Sequence, residues 1–265
     1  MNRVVAIAIN TFREAIREKL LAVILVFACG LIAASFGVGK LSLHEELRVI
    51  RDLGLGGISL FSKVLAVVAG VNLVYKEIER KTLYAFIPKP IHRWQFIVGK
   101  YLGLVVTLTA QMALMSGVLA LTLLAQDAAP DGALVRALVL LWAEALVVTA
   151  VAVFFSTFST PLLSGIFTAG IIGIGRSTPE LHALITSQLK DVPGLQTTLD
   201  WATQLVPDLH LFYVSGSMVG GKWVTVNAGD FISWSYVAGA SGYGALYAAC
   251  VLALAMAIFA RRDFV

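Results

Sequence analysis

The stretch YKEIERKTLYAFIPKPIHRWQFIVGKYLG, Tyr75 to Gly103, decides how this chain is arranged. It carries six of the twenty Lys and Arg residues between two long apolar runs, the pattern of a short cytosolic loop joining two membrane helices. Glu77 to Phe86 has no Pro or Gly and alternates charge with Leu and Phe, as a short amphipathic helix does. Pro88 and Pro90 then force a break, and a second helix restarts near His92 or Arg93 and enters the bilayer. Two helical pieces with a Pro-x-Pro joint make a rigid knuckle on which another protein can dock. The plainer reading is that the loop carries its bases for topology alone.

Outward from that loop, the bilayer is the evident solvent. Only 14% of the 265 residues are charged, where a soluble domain has about 25%, and the mean hydropathy is +0.86. Val5, Ile9, Phe12, Ile16 and Leu20 recur at helical spacing opposite Arg13, Glu14, Arg17, Glu18 and Lys19, which predicts a helix over residues 1–19 lying flat in the membrane interface. Charge follows that short apolar stretch and no small-residue cleavage site appears, so it does not read as a cleavable signal peptide. Six spans follow: Leu20 to Val38, Gly57 to Tyr75, Tyr101 to Ala125, Ala137 to Phe158, Leu162 to Gly175 and Val237 to Ala260. The fifth, at fourteen residues, is below spanning length and must be tilted, extended or partly re-entrant. Lys40 to Asp52 reads as a short external loop, partly helical, and DAAPDGA, Asp127 to Ala133, as an external turn. Residues 176–236 form the longest polar region. There Ser177, Pro179 and Glu180 start one helix, and a second covers Thr197 to Leu205. Both are too short to cross, so the region reads as an external helical cap resting on the outer ends of the last two spans. With both termini inside, twelve bases fall on cytosolic segments and seven on the longer external ones, the orientation that the positive-inside rule favours.

The loop's wording adds to its physics. Glu77, Ile78, Glu79, Arg80, Lys81, Thr82 and Leu83, then Lys89, Pro90, Ile91, Arg93 and Trp94, closing on Gly99, Lys100, Tyr101, Leu102 and Gly103, resemble the first cytosolic loop of type-2 ABC transporter permeases. Leu205 to Gly221 resembles the family's segment before the last helix, and Arg261, Arg262, Asp263 and Phe264 its C-terminus. The resemblance implies an all-α polytopic membrane protein, one permease domain over residues 1–265, with a coupling loop at 76–100. It implies that Glu77, Glu79, Arg80, Lys81, Thr82 and Arg93 meet a separate ATP-binding subunit, in two copies, and that Ser156 to Pro161 makes a smaller cytosolic contact. It also implies a second permease copy, as a homodimer or a related heterodimer, in a bacterial inner membrane, and ATP-driven transport, with export as the expected direction.

Other motifs carry less. SFGVGKLS has Gly37, Gly39 and Lys40 of a phosphate-binding loop, but Ala34 and Leu41 stand where its first glycine and its hydroxyl belong. No cofactor is therefore expected on this chain, and ATP and magnesium belong to the partner. His44, His92, His182 and His210 lack metal-site spacing, and nothing points to nucleic acid. Cys29 and Cys250 read as packing residues, Gly165, Gly170, Gly173 and Gly175 as a close-packing face, and Trp94, Trp142, Trp223 and Trp234 as an aromatic belt.

Two charges lie inside spans. Lys63 is six residues below Gly57 and Glu144 seven below Ala137, roughly 9 and 10 Å from the outer ends at 1.5 Å per residue. Equal depth on two inward-running spans permits a pair. The alternatives are that Lys63 snorkels to the headgroups while Glu144 faces water or is protonated, or that they serve a substrate or a proton. An ATP-independent channel or scaffold is the other reading of the whole chain. An intramembrane enzyme is a third, for which these two residues are the only polar candidates.

Overall fold

A computed structural model describes residues 3–41, 46–79, 92–188, 203, 205–213, 217–219, 222–224, 226 and 232–261. The helices are α1 (Arg3–Arg17), α2 (Lys19–Leu41), α3 (Glu46–Glu79), α4 (Arg93–Leu124), α5 (Gly132–Ser156), α6 (Pro161–Arg176), α7 (Thr178–Gln188) and α8 (Trp234–Arg261). Five of them, α2, α3, α4, α5 and α8, are long and apolar enough to cross a membrane, and α6 is a shorter apolar helix. The protein is an all-α polytopic membrane protein. Its only β-structure among the described residues is a small antiparallel hairpin, Ser217–Val219 with Lys222–Val224, which the sequence reading did not foresee.

Of the long helices, α2 and α4 run one way and α3, α5 and α8 the other. Gly39 at the end of α2 meets Ile50 near the start of α3, and the Phe96 ring at the start of α4 stacks on Phe259 at the end of α8, centroids 5.8 Å apart. One end of the bundle therefore carries α1, the end of α3, the start of α4 and the end of α8. The far end carries the start of α3, the turn before α5 and the start of α8.

Burial ranks the helices. Two thirds of the spanning windows of α3 and α5 are buried, against 22% for α2 and 28% for α8, so α3 and α5 form the centre and the others the lipid-facing ring. These two run parallel, and Gly70 lets α3 approach Ala152 closely, since a Cβ there would come within 2.7 Å of the Ala152 Cβ. At the far end Asp131 caps α5, accepting from Leu134 N at 3.0 Å and from Arg51 Nη1 of α3 at 2.9 Å. Arg51 also reaches the Val226 carbonyl at 3.5 Å, and Arg136 donates to the Ile232 carbonyl at 2.8 Å. These bases of the expected external loops thus tie the polar region onto the bundle.

Several boundaries move. α3 begins at Glu46, so part of the expected loop Lys40 to Asp52 belongs to the helix, and it runs unbroken to Glu79 because no Pro interrupts it. Glu77 and Glu79 thus continue α3, and the rest of the expected helix Glu77 to Phe86 lies outside the described residues. Residues 80–91, with Arg80, Lys81 and Thr82, and the expected helix Thr197 to Leu205 over 189–202 lie outside the described residues. α4 restarts at Arg93, with His92 before it donating its N–H to the Gln95 side chain at 3.3 Å.

Candidate functional site

Halfway along the bundle, where the surroundings are otherwise apolar, four elements bring polar groups together. Lys63 of α3 is 7% exposed and Glu144 of α5 1% exposed, and the Lys63 Nζ lies 2.9 Å from Glu144 Oε2. The ammonium donates a second bond, 2.6 Å, to Ser59 Oγ one turn back on its own helix. On the other carboxylate oxygen, Arg176 Nη1 at the tip of α6 sits 3.7 Å from Glu144 Oε1. The guanidinium lies over the Tyr213 ring, 4.3 Å from its centroid, and burial pushes the Tyr213 hydroxyl above its ordinary range, so the ring stays a neutral π face. One carboxylate thus bridges two cations and three helices.

The pair that equal depth allowed is formed, and Lys63 does not snorkel. Measured from the Arg51–Asp131 contact at the far end, Lys63 is twelve residues on and Glu144 thirteen, roughly 18 to 20 Å along the helices, so the two stay level.

Arg176 was counted as an external residue, and its arrival here explains the short fifth span. α6 is sixteen residues, roughly 24 Å at 1.5 Å per residue, against about 30 Å of hydrocarbon. It leaves the α1 end just after α5 and stops at Glu144 instead of crossing.

The chain later returns to the same depth. Leu205 to Tyr213 runs along α8, and three tyrosines of that helix hold its backbone. Tyr247 OH donates to the Leu205 carbonyl at 3.0 Å, Asp208 N donates to Tyr243 OH at 3.1 Å, and Tyr236 OH donates to the Leu211 carbonyl at 3.0 Å. Tyr247 is thirteen residues into α8, so Leu205 lies near mid-bundle rather than on the outer ends of the spans. Irregular backbone at that depth needs internal partners, and the phenols supply them. Gly175 lets the Pro207 carbonyl pass against α6, where any Cβ would collide with it, and the buried Phe212 ring fills the space over Gly244. The reading of residues 176–236 as a cap on the outer ends is corrected here: this part is re-entrant. The signal was present as Tyr236, Tyr243 and Tyr247 at helical spacing, but tyrosines in a span read equally well as an aromatic belt.

Two further expectations change. Trp142 is not in a belt: it sits two residues from Glu144, and its indole donates to Thr109 Oγ1 at 2.9 Å. A Cβ added at Gly165, Gly170 or Gly173 would meet nothing within 4 Å among the described residues, and of the four only Gly175 faces a close neighbour.

At the α1 end, Gly99 and Gly103 of α4 let α1 approach so closely that a Cβ on Gly103 would lie 2.6 Å from the Ala8 carbonyl. Between them Lys100, 1% exposed, reaches Glu14 of α1 at 3.4 Å. Lys100 was counted as a loop base, whereas it is a buried anchor for the first helix. Of the expected coupling residues, Glu77 and Glu79 close α3 and Arg93 opens α4 at this same end.

Residues 5–264 match the family described as ABC-2 family transporter protein. The chain belongs to that family. The match covers nearly the whole chain, so this is an ABC-2 permease, the membrane subunit of an ABC transporter that works with an ATP-binding subunit in the lipid bilayer. No curated protein matches it. Among the described residues no group of His, Cys, Asp and Glu could hold a metal ion.

Proposed function

We propose that this ABC-2 permease couples ATP hydrolysis on two copies of a separate subunit to export of a cargo, and that it does so as a pair of permease chains, identical or related. The ATP-binding subunit seats on Glu77, Glu79, Arg80, Lys81, Thr82 and Arg93, and ATP and magnesium stay on that subunit. Both termini and the loop are cytosolic, in a bacterial inner membrane. The observation that carries this reading is the continuity of α3: one helix runs without interruption from the Lys63–Glu144 contact to Glu79 at the edge of the loop. From Lys63 to Glu77 is fourteen residues, roughly 21 Å. A push on the loop therefore arrives at the Glu144 carboxylate as a displacement of Lys63, and through Glu144 at Arg176 and the tip of α6. Export is the direction we infer because Arg51 and Arg136 tie Val226 and Ile232 onto the end away from the loop, while the tyrosines hold Leu205 to Leu211 in the bundle below, the layered closure an exit gate needs.

Exchanging the charges at Glu79 and Arg80, as Glu79→Lys with Arg80→Glu, tests the seat. The purified complex with its ATP-binding subunit should keep its fold while ATP hydrolysis no longer drives transport. Coupling that survives the exchange unchanged would sink this assignment.

A further inference from the structure

Among the described residues none covers the outward side of α1, and its chemistry is specific. Toward α4 the helix turns Ile7, Ala8, Thr11 and Ala15, the last two completely buried, and the close approach at Gly99 and Gly103 locks that rotation. Its two acids face the same way. Glu14 is taken by the buried Lys100, and Glu18 is half-buried with a partner of its own. What remains outside is a stripe of Val5, Ile9, Ile16 and Leu20, between 40% and 59% exposed, continuing onto the first turn of α2. Beside it stand Arg13, Arg17 and Lys19, all exposed and in no ion pair among the described residues. At 100° per residue Arg13 and Arg17 fall on the sector next to the stripe, and Lys19 opens α2 just beyond them, so one side of α1 is aliphatic, the next cationic, and the third bonded to the protein.

We infer that this side of α1 is a docking surface for anionic phospholipid, with the aliphatic stripe among the acyl chains and Arg13, Arg17 and Lys19 on the headgroup phosphates. An interfacial helix binds through its buried apolar area plus attraction to anionic lipid. Had Glu14 and Glu18 faced outward, the three cations would be largely neutralised in place. Lys100 thus has a second consequence: by drawing Glu14 inward it keeps the outward sector cationic. An acidic protein surface would satisfy the cations but leave the aliphatic stripe beside them in water, which is why lipid is the occupant that fits both.

The test uses the full chain in nanodiscs of phosphatidylcholine with one quarter phosphatidylglycerol, followed by extraction and counting of the lipids retained per chain. Wild type should retain phosphatidylglycerol above its bulk share. With each cation near an anionic surface contributing about fivefold to partitioning, R13Q/R17Q/K19Q should lose at least about fivefold of that enrichment. R13K/R17K, which keeps the charges, should preserve it and shows that the effect is not a failure of the helix to dock. No enrichment in wild type, or equal enrichment in the triple glutamine variant, overturns the inference. So does a triple variant that keeps its phosphatidylglycerol but no longer binds the ATP-binding subunit, since the face would then belong to that protein. The coupling assignment at Glu79 and Arg80 stands or falls separately.

Discussion

Lys63 and Glu144 each cost too much to be left alone in a bilayer, and each is the reason the other is tolerated. Removing one partner of a buried pair strands the other charge, at about 3 to 5 kcal/mol. Lys63→Met and Glu144→Gln should therefore each lower the unfolding transition sharply, while the double variant loses much less than the sum of the two. The coupling should be about 0.5 to 3 kcal/mol, read from thermal unfolding of the purified permease. Strict additivity would mean that the 2.9 Å contact contributes nothing. The phenols of α8 act at the same scale. Tyr243→Phe removes the acceptor of Asp208 N, a bond contributing about 1 kcal/mol. Amide exchange across residues 205–213 should accelerate severalfold while the centre of α5 stays protected.

Among elements, α1 shows how small residues set an interface. A helix with a strong apolar periodicity is expected to bury that side, yet Val5, Ile9 and Ile16 face outward and Ala8, Thr11 and Ala15 make the contact. In lipid, an aliphatic side chain gains little from leaving one apolar surface for another, so the face that packs is the one permitting closest approach. Gly103→Leu should separate the two helices, because even a Cβ there meets Thr11 Cβ at 2.5 Å. The cost expected from overpacking is about 1 to 3 kcal/mol. It should appear as a lower unfolding transition and as faster proteolysis between α1 and α2, and unchanged cleavage would show that the glycines are not the docking device.

For the molecule as a whole, topology is the property on which the proposed mechanism depends. The described ends of the chain lie at one end of the bundle with the flanks of the loop, and α7 follows the tip of α6. If that end is cytosolic, a cysteine replacing Gln188, in a chain whose Cys29 and Cys250 are changed to Ala, is labelled by an impermeant reagent added outside the cell. Labelling only after access to the cytosol would invert the whole assignment and place the loop where no ATP-binding subunit could reach it. Inside the bundle, α3 and α5 make one central parallel pair: α2 packs on α3, α8 on α5, and α4 and α6 on both, so motion of α3 reaches α6 through Glu144.

What the sequence determined by itself is whatever depends on composition over a window of chain. Lack of charge over about twenty residues suffices to name a span, and the wording around Glu77 to Gly103 points to the family. Pro88 and Pro90 likewise place the restart of a helix at Arg93, because a missing N–H acts locally. The tertiary structure alone decided what depends on which helices are neighbours. Equal depth allowed Lys63 and Glu144 to meet, but only the packing of α3 beside α5 makes them do so, and only the end of α6 at Arg176 brings in the second cation. The re-entrant course of Leu205 to Tyr213 was hidden for the same reason. Its carbonyls and amide are satisfied by phenols from 25 to 42 residues away, and no local pattern records a partner that the chain reaches only after folding.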